Sequence, residues 1–169
     1  MAMGVCSPEG AECRRKGCAV PQSLANILIH LVFSTKDRRP LIRPPVEQEL
    51  YAYLVGVCRG LGCPSHQIGG TEDHVHIFFS LSRTLSISGV VEEVKTSSSK
   101  WIKTKGPAYR QFAWQKGYGA FSIGQSSAAA LRRYILNQRK RHGRVTFQDE
   151  FRDLLKKYNV EYDERYVWE

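Results

Sequence analysis

The sequence has 169 residues, 42% of them hydrophobic, which suits one domain with a real core and excludes two large domains. Lys and Arg number 25 against 16 Asp and Glu, and the formal charge of +9 makes a polyanion, above all a nucleic acid, the expected partner. No apolar run approaches the roughly 18 residues of a membrane span, so we expect no membrane partner.

Residues 1–20 differ from the rest of the chain, because they hold three of the five Cys and show no apolar periodicity. They lack the apolar run of a signal peptide, and their Cys spacing fits no zinc-ligand pattern. An odd total of five Cys also argues against a disulfide framework. We therefore expect a disordered extension over 1–20, a single domain over 21–169 and a reducing, cytoplasmic location.

From residue 24 onward, the periodicity predicts strands and helices in a definite order. The predicted elements are a strand over 25–34, a helix over 46–61, a hairpin with strands over 67–69 and 74–81, a helix capped by Ser86 and reaching Ile102, a strand over 112–123 that bends near Gly117 and Gly119, a helix over 126–141, and a short helix over 147–158 before a packed or partner-docking tail over 162–168. The order β-α-β-β-α-β predicts an α+β, ferredoxin-like fold. Its antiparallel sheet has helices on one face, a second face free for function, and further helices at the C-terminal end.

His74 and His76 are the sharpest chemical feature of the sequence. Residues i and i+2 of a strand point to the same face, so the two imidazoles converge while Val75 faces the other side. A pair of surface histidines is the alternative interpretation.

Tyr134 and Gln138 lie one helical turn apart and hence on one helix face. A metal site built from His74, His76 and the Gln138 amide oxygen would keep open positions for a phosphate oxygen, with Tyr134 one turn away. If the helix stood alone, a half-buried tyrosine and a solvated glutamine would be the simpler interpretation.

Basic residues surround Tyr134, and no acidic residue occurs between positions 131 and 148. A solvated helix face usually carries both signs, so we favour a phosphate-binding track over a merely solvated helix. A smaller basic patch follows the first strand. The predicted nucleic-acid contacts are Lys36, Arg38, Arg39, Arg132, Arg133, Arg139, Lys140, Arg141 and Arg144.

Several motifs together carry a family resemblance that runs from Pro21 to Glu169. They are HLVFSTK at 30–36 with RRPL at 38–41, HVH at 74–76, SSSKW at 97–101, WQKGYGAFS at 114–122, YILNQ at 134–138 and YDERYVW at 162–168. With these motifs the chain resembles the small single-tyrosine HUH transposases of insertion-sequence-200-like elements and the related palindrome-associated transposases. Such proteins typically begin near the Pro-Gln-Ser found here at 21–23, so we expect residues 1–20 to be translated upstream sequence.

The resemblance implies cleavage and rejoining of single-stranded DNA without a nucleotide cofactor. Tyr134 would be the nucleophile that leaves a 5′-phosphotyrosine and a free 3′-hydroxyl, and His74, His76 and Gln138 would bind a divalent metal, Mg²⁺ or Mn²⁺. A tyrosine ester conserves the energy of the phosphodiester, so another 3′-hydroxyl can reverse the reaction. The resemblance also implies homodimers that recognise DNA hairpins at element ends, often with the tyrosine helix completing the partner's site.

Three other interpretations remain open at this point. Residues 116–123 resemble an RNA-recognition signature at their first four positions but depart from it at Ala120, Phe121 and Ile123, and they fall on the last strand. A domesticated transposase would bind hairpins without mobility. A zinc site from Cys58, Cys63, His66 and His74 has irregular spacing, which favours core or loop cysteines instead.

Overall fold

A computed structural model of the protein describes residues 24–44, 46–143 and 145–168. The expected extension over 1–20 lies outside the described residues. The strands are β1 (Leu28–Ser34), β2 (Ser65–Gly70), β3 (His74–Ser80) and β4 (Gly119–Ile123). The helices are α1 (Val46–Gly60), α2 (Ile87–Lys103), α3 (Ala128–Leu136), α4 (Gln138–His142) and α5 (Phe147–Lys157).

The four strands form one sheet in the order β2-β3-β1-β4, and all neighbours are antiparallel. The central strand β1 pairs Val32 with His76 on one side and with Gly119 on the other. The connections run β-α-β-β-α-β through α1 and α2, so the ferredoxin-like prediction is confirmed.

Helices α1 and α2 cover the first face of the sheet. Alternate residues of β1 point into this layer, where they meet the apolar stripes of both helices in one large core. Its members include Ile29, Leu31, Phe33, Leu50, Leu54, Val90 and Val94. Helix α2 begins where the sequence predicts, because the Ser86 hydroxyl accepts a hydrogen bond from the Gly89 amide.

The second face of the sheet is not free, which corrects the expectation from the sequence. Helix α5 packs on it through one apolar cluster and α3 through another, because each helix has an apolar stripe that needs a partner surface. The first cluster holds Val32, Phe121, Phe147, Phe151, Leu154 and Leu155, and the second holds Leu28, Phe78, Ile123, Leu131 and Ile135. The two clusters flank the histidines of β3.

The fourth strand is shorter than the predicted 112–123, since only Gly119–Ile123 is a strand and Trp114 makes one isolated bridge to Thr35. Lys95 explains the difference. Its ammonium donates hydrogen bonds to the carbonyls of Gln115, Lys116 and Gly117 at 2.8, 3.1 and 2.7 Å. Those carbonyls therefore have a partner without a neighbouring strand.

The predicted helix over 126–141 is divided into α3 and α4 at Asn137. The Asn137 side-chain amide donates to the Arg133 carbonyl at 2.8 Å, a local bond of the kind that competes with helix continuation. Its backbone leaves the helical region at φ −96° and ψ 13°. Gln138 therefore begins a new short helix, and its side chain is buried.

The C-terminal tail over 162–168 packs on α5, so of the two predicted roles, a packed tail or a partner-docking tail, the structure shows the first. The Trp168 ring lies 6.0 Å from the Phe151 ring, and the Val167 carbonyl accepts a hydrogen bond from Gln115 at 2.9 Å. None of the helices in the described ranges is long and apolar enough to cross a bilayer.

Candidate active site

His74 and His76 lie at the start of β3, fully buried beneath the helices of the second face. Because both side chains are 0% exposed, the interpretation as surface histidines is wrong. Their ring centroids are 5.1 Å apart. The Nε2 atoms of both rings have no hydrogen-bond partner among the described residues.

The other ring nitrogen of each histidine is held by a neighbour that the sequence analysis missed. His74 Nδ1 lies 2.7 Å from an Asp73 carboxylate oxygen and 2.9 Å from the Thr71 hydroxyl. His76 Nδ1 lies 2.9 Å from Nε2 of His30, whose ring stacks on it. An imidazole whose Nδ1–H is taken by an acceptor presents the lone pair of Nε2, which is the usual arrangement of a metal-binding histidine.

Burial keeps two of these imidazoles neutral. It lowers the pKa of His76 to about 4, although the nearby carboxylate of Glu150 acts in the opposite direction. Burial, followed by the neighbouring His76, holds the pKa of His30 well below its usual value. Neutral imidazole is the form that binds a metal ion, so the state of His76 suits that role.

Tyr134 and Gln138 reach the histidines in spite of the helix break between them. The Tyr134 ring lies 5.8 Å from the His76 ring, and its hydroxyl donates to Oε1 of Glu150. Gln138 donates its amide N–H to the same oxygen at 2.9 Å. Its own amide oxygen remains buried without a partner in the described part of the chain. The predicted nucleophile and the three predicted ligands thus share one buried site within a single chain.

Glu150 of α5 occupies the centre of this group and was not predicted. Its side chain is 1% exposed, and its Oε2 lies 2.8, 3.4 and 3.6 Å from Nε2 of His142, His76 and His74. Burial raises the pKa of Glu150, but the hydrogen bond with His142 and the nearby His76 outweigh burial and hold the pKa far below its usual range. The one available signal in the sequence was its position inside the apolar stripe of α5, between Phe147 and Phe151.

The Tyr134 hydroxyl is protonated at neutral pH in this environment. Burial raises its pKa above the ordinary tyrosine value, and the negative charge of Glu150 raises the pKa further. An attack by this oxygen on phosphorus therefore needs charge neutralisation at the phosphate and removal of the proton.

The donor set fits a divalent cation. Five buried side-chain atoms lack hydrogen-bond partners among the described residues, and three of them are potential metal ligands beside Tyr134: His74 Nε2, His76 Nε2 and Gln138 Oε1. Unpaired buried polar atoms cost free energy, so three of them in one site indicate a missing common partner. Ligand atoms of His74, His142 and Glu150 also lie within 4.8 Å of one another. Imidazole nitrogens together with carboxylate or amide oxygens are donors that divalent metal ions accept.

The alternative zinc site does not form. Cys58 and Cys63 belong to the core on the first face of the sheet. The His66 ring instead lies 4.9 Å from Phe78, which faces the opposite side.

The predicted phosphate contacts divide into groups around the site. Arg133, Lys140 and Arg141 line an open cavity of about 820 Å³ together with Tyr134. Arg38, Arg139 and His142 line a second cavity of about 800 Å³. Arg139 also forms an ion pair with the buried carboxylate of Glu47. The remaining members lie further away: Lys36 and Arg39 line a smaller cavity beside Leu41, and Arg132 lies 3.4 Å from His66. Arg144 is outside the described residues.

The segment that resembles an RNA-recognition signature keeps one exposed ring. Tyr118, at the third position of the signature, is 40% exposed, whereas Phe121 is 3% exposed and stacks on Tyr158 at 4.7 Å, beneath α5. A buried ring cannot stack on a base, so of these two residues only Tyr118 is available for such a contact.

Comparisons with known proteins show the family of the chain and its fold. A family model described as "Transposase IS200 like" matches residues 23–138, well over half of the chain. The chain belongs to the IS200-like transposase family. No protein of curated function matches it.

Two solved structures share the fold of this IS200-like transposase. A putative transposase from Deinococcus radiodurans R1 is 20% identical, with a TM-score of 0.56 over 70% of this chain and 95% of that chain. A REP-associated tyrosine transposase bound to a REP hairpin is 15% identical, with a TM-score of 0.55 over 88% of this chain and 96% of that chain. Within the present transposase, His142 and Glu150 lie beyond the residues that the family model matches.

Proposed function

We propose that the protein cleaves and rejoins single-stranded DNA at hairpin-bearing element ends through a covalent 5′-phosphotyrosine. One observation carries this proposal. In a chain of the IS200-like transposase family, the Tyr134 hydroxyl shares a buried site with the three unpartnered donor atoms of His74, His76 and Gln138.

His74, His76 and Gln138 are the proposed ligands of the divalent metal, Mg²⁺ or Mn²⁺. When bound, the ion would polarise the scissile phosphate and neutralise part of its charge. Asp73 and His30 hold the two imidazoles so that each Nε2 faces the centre of the site.

Tyr134 is the proposed nucleophile. Its oxygen forms a bond to phosphorus while the bond from phosphorus to the 3′ oxygen breaks, which leaves a 5′-phosphotyrosine and a free 3′-hydroxyl. Before attack, the hydroxyl proton is directed at Oε1 of Glu150. A 3′-hydroxyl of another DNA end then attacks the ester and releases the tyrosine, so the reaction needs no nucleotide cofactor.

The open cavity lined by Arg133, Lys140 and Arg141 is the proposed path of the DNA backbone. It adjoins Tyr134, so the scissile phosphate would lie beside a positively charged wall. A structural relative bound to a REP hairpin supports hairpin DNA as the substrate.

We also propose that the protein is a homodimer and lies in the cytoplasm. The dimer follows from the family resemblance, and the contact of Tyr134 with Glu150 of its own chain supports a site formed within one subunit. Cys58 and Cys63 are free thiols, in keeping with a reducing compartment.

Covalent trapping tests the proposed function. The protein would be incubated with a labelled single-stranded hairpin taken from the DNA flanking its gene, with and without Mn²⁺ or Mg²⁺. We expect a denaturation-resistant protein–DNA adduct that requires the metal, disappears in Tyr134→Phe and persists in Tyr166→Phe, a change at an exposed tail tyrosine. Hairpin binding without any adduct would instead indicate a domesticated or RNA-recognition-like binding protein without strand transfer.

A further inference from the structure

Glu150 comes from α5, a helix that the family model does not reach. Even so, its carboxylate contacts the nucleophile through Oε1 and faces both β3 histidines through Oε2. A buried carboxylate at the centre of a candidate metal site requires a physical explanation.

The distances around Oε2 lie at, or 0.2 Å beyond, the upper end of the range for two ligands of one ion. Oε2 lies 3.4 Å from His76 Nε2 and 3.6 Å from His74 Nε2. Two ligand atoms that are each about 2.1 Å from one ion lie roughly 3.0–3.4 Å from each other, at octahedral or tetrahedral angles.

The atoms around Oε2 are of the kinds that bind a metal ion. One ring nitrogen each of His74 and His142 and one carboxylate oxygen of Glu150 all lie within 4.8 Å of one another.

The charge of the ligand set supports the same conclusion. His74, His76 and Gln138 are neutral donors when they bind a metal, so these three ligands offer a divalent ion no negative charge. Carboxylate oxygen is the ligand that Mg²⁺ and Mn²⁺ prefer in proteins. Glu150 supplies one such charge beside the three unpartnered atoms.

We propose that Oε2 of Glu150 is a fourth protein ligand of the divalent ion, so that the metal links α5 to β3. The inference rests on the proposed metal site. Helix α5 lies outside residues 23–138, which match the family model, so the family match does not include this ligand.

Metal affinity tests this assignment independently of cleavage. Mn²⁺ would be titrated into the wild type, Glu150→Gln and the control Asp153→Asn, with free Mn²⁺ measured by electron paramagnetic resonance. We expect the Kd of Glu150→Gln to rise at least tenfold and that of Asp153→Asn to change less than twofold, because Asp153 lies on the same helix with its side chain 71% exposed. An unchanged Kd in Glu150→Gln would overturn the inference. A tighter Kd would overturn it as well, since the carboxylate would then merely fill the site in competition with the ion.

A His74→Ala variant separates the two proposals. If it loses Mn²⁺ while Glu150→Gln keeps wild-type affinity, only the role of Glu150 fails. If the wild type shows no saturable Mn²⁺ binding, the proposed metal site and this inference fail together.

Hydrogen exchange on the unmodified protein covers the case in which Glu150→Gln does not fold. Saturating Mn²⁺ should slow amide exchange in α5 as well as in β3. Slower exchange in β3 with no change in α5 would contradict the proposed link.

Discussion

Asp73 determines which nitrogen of His74 faces the centre of the site. Its carboxylate accepts the Nδ1 proton at 2.7 Å and makes the ring a better donor through Nε2. We predict that Asp73→Ala weakens Mn²⁺ binding about tenfold without unfolding the protein, as outer-shell partners of metal-binding histidines usually do. Titration of Asp73→Ala beside Glu72→Ala, an exposed neighbour, checks this. Equal losses in both variants would indicate a general charge effect.

Cys58 is an unreactive thiol. Burial in α1 raises its pKa to about 11, and the nearby Cys63 adds to the shift. At pH 8 the thiolate fraction is then on the order of 0.1%. We predict that iodoacetamide leaves Cys58 unmodified in the native protein and alkylates it in denaturant, as peptide mass spectrometry would show. Fast native alkylation would mean that α1 opens locally.

Helix α3 lies against β2 at Gly69, and this contact requires glycine. A Cβ at this position would come within 2.9 Å of both the Ile135 side chain and the Ile135 carbonyl oxygen. We predict that Gly69→Ala pushes α3 away from the sheet, costs about 1–3 kcal/mol of stability and reduces formation of the Tyr134 adduct.

Gly56→Ala on α1 is the matched control for that experiment, because nothing lies within 4 Å of a Cβ there. This change should stabilise the protein by about 0.5–1 kcal/mol through helix propensity. Urea denaturation measures both variants. A Gly69→Ala protein as stable and active as the wild type would contradict the close packing of α3.

Local patterns predicted most elements, because alternation and helical stripes determine which residues a single strand or helix buries. β1, α1, β3 and α2 lie within the predicted segments or differ from them by a few terminal residues. The start of β4 and the break at Asn137 could not be predicted in this way. They depend on the Lys95 bonds to three carbonyls and on one side-chain bond inside the helix.

The sequence predicts site residues only where two of them lie close together in one strand or one helix. His74 and His76 share a strand, and Tyr134 and Gln138 lie four residues apart, so spacing alone places each pair. Glu150 belongs to a separate helix whose position depends on apolar packing across the sheet. His30 reaches His76 through strand pairing between β1 and β3, which the sequence does not reveal residue by residue.

At the scale of the whole molecule, the net charge of +9 predicts strongly salt-dependent DNA binding. For single strands, the logarithm of the binding constant should fall against the logarithm of salt with a slope of about −0.7 per contacted phosphate. We predict a shallower slope for Arg133→Ala combined with Lys140→Ala, and no change for Arg59→Ala on α1, on the opposite face of the sheet. Fluorescence anisotropy over a salt series measures the slopes. Identical slopes in all three proteins would place the DNA elsewhere.

The N-terminal extension should be dispensable. We predict that deletion of residues 1–20 leaves both the melting temperature and adduct formation unchanged, because the sheet and the site are built from later residues. Thermal unfolding and the trapping assay check this. A loss of either property would mean that the extension belongs to the domain.

The order of elements along the chain has a consequence for synthesis. The ribosome makes the four strands, and with them both histidines, before it makes α3 with Tyr134 and α5 with Glu150. A nascent chain therefore holds the two proposed metal-binding histidines before it holds the proposed nucleophile. Termination before α5 leaves a protein without the buried carboxylate at the centre of the proposed cleavage site.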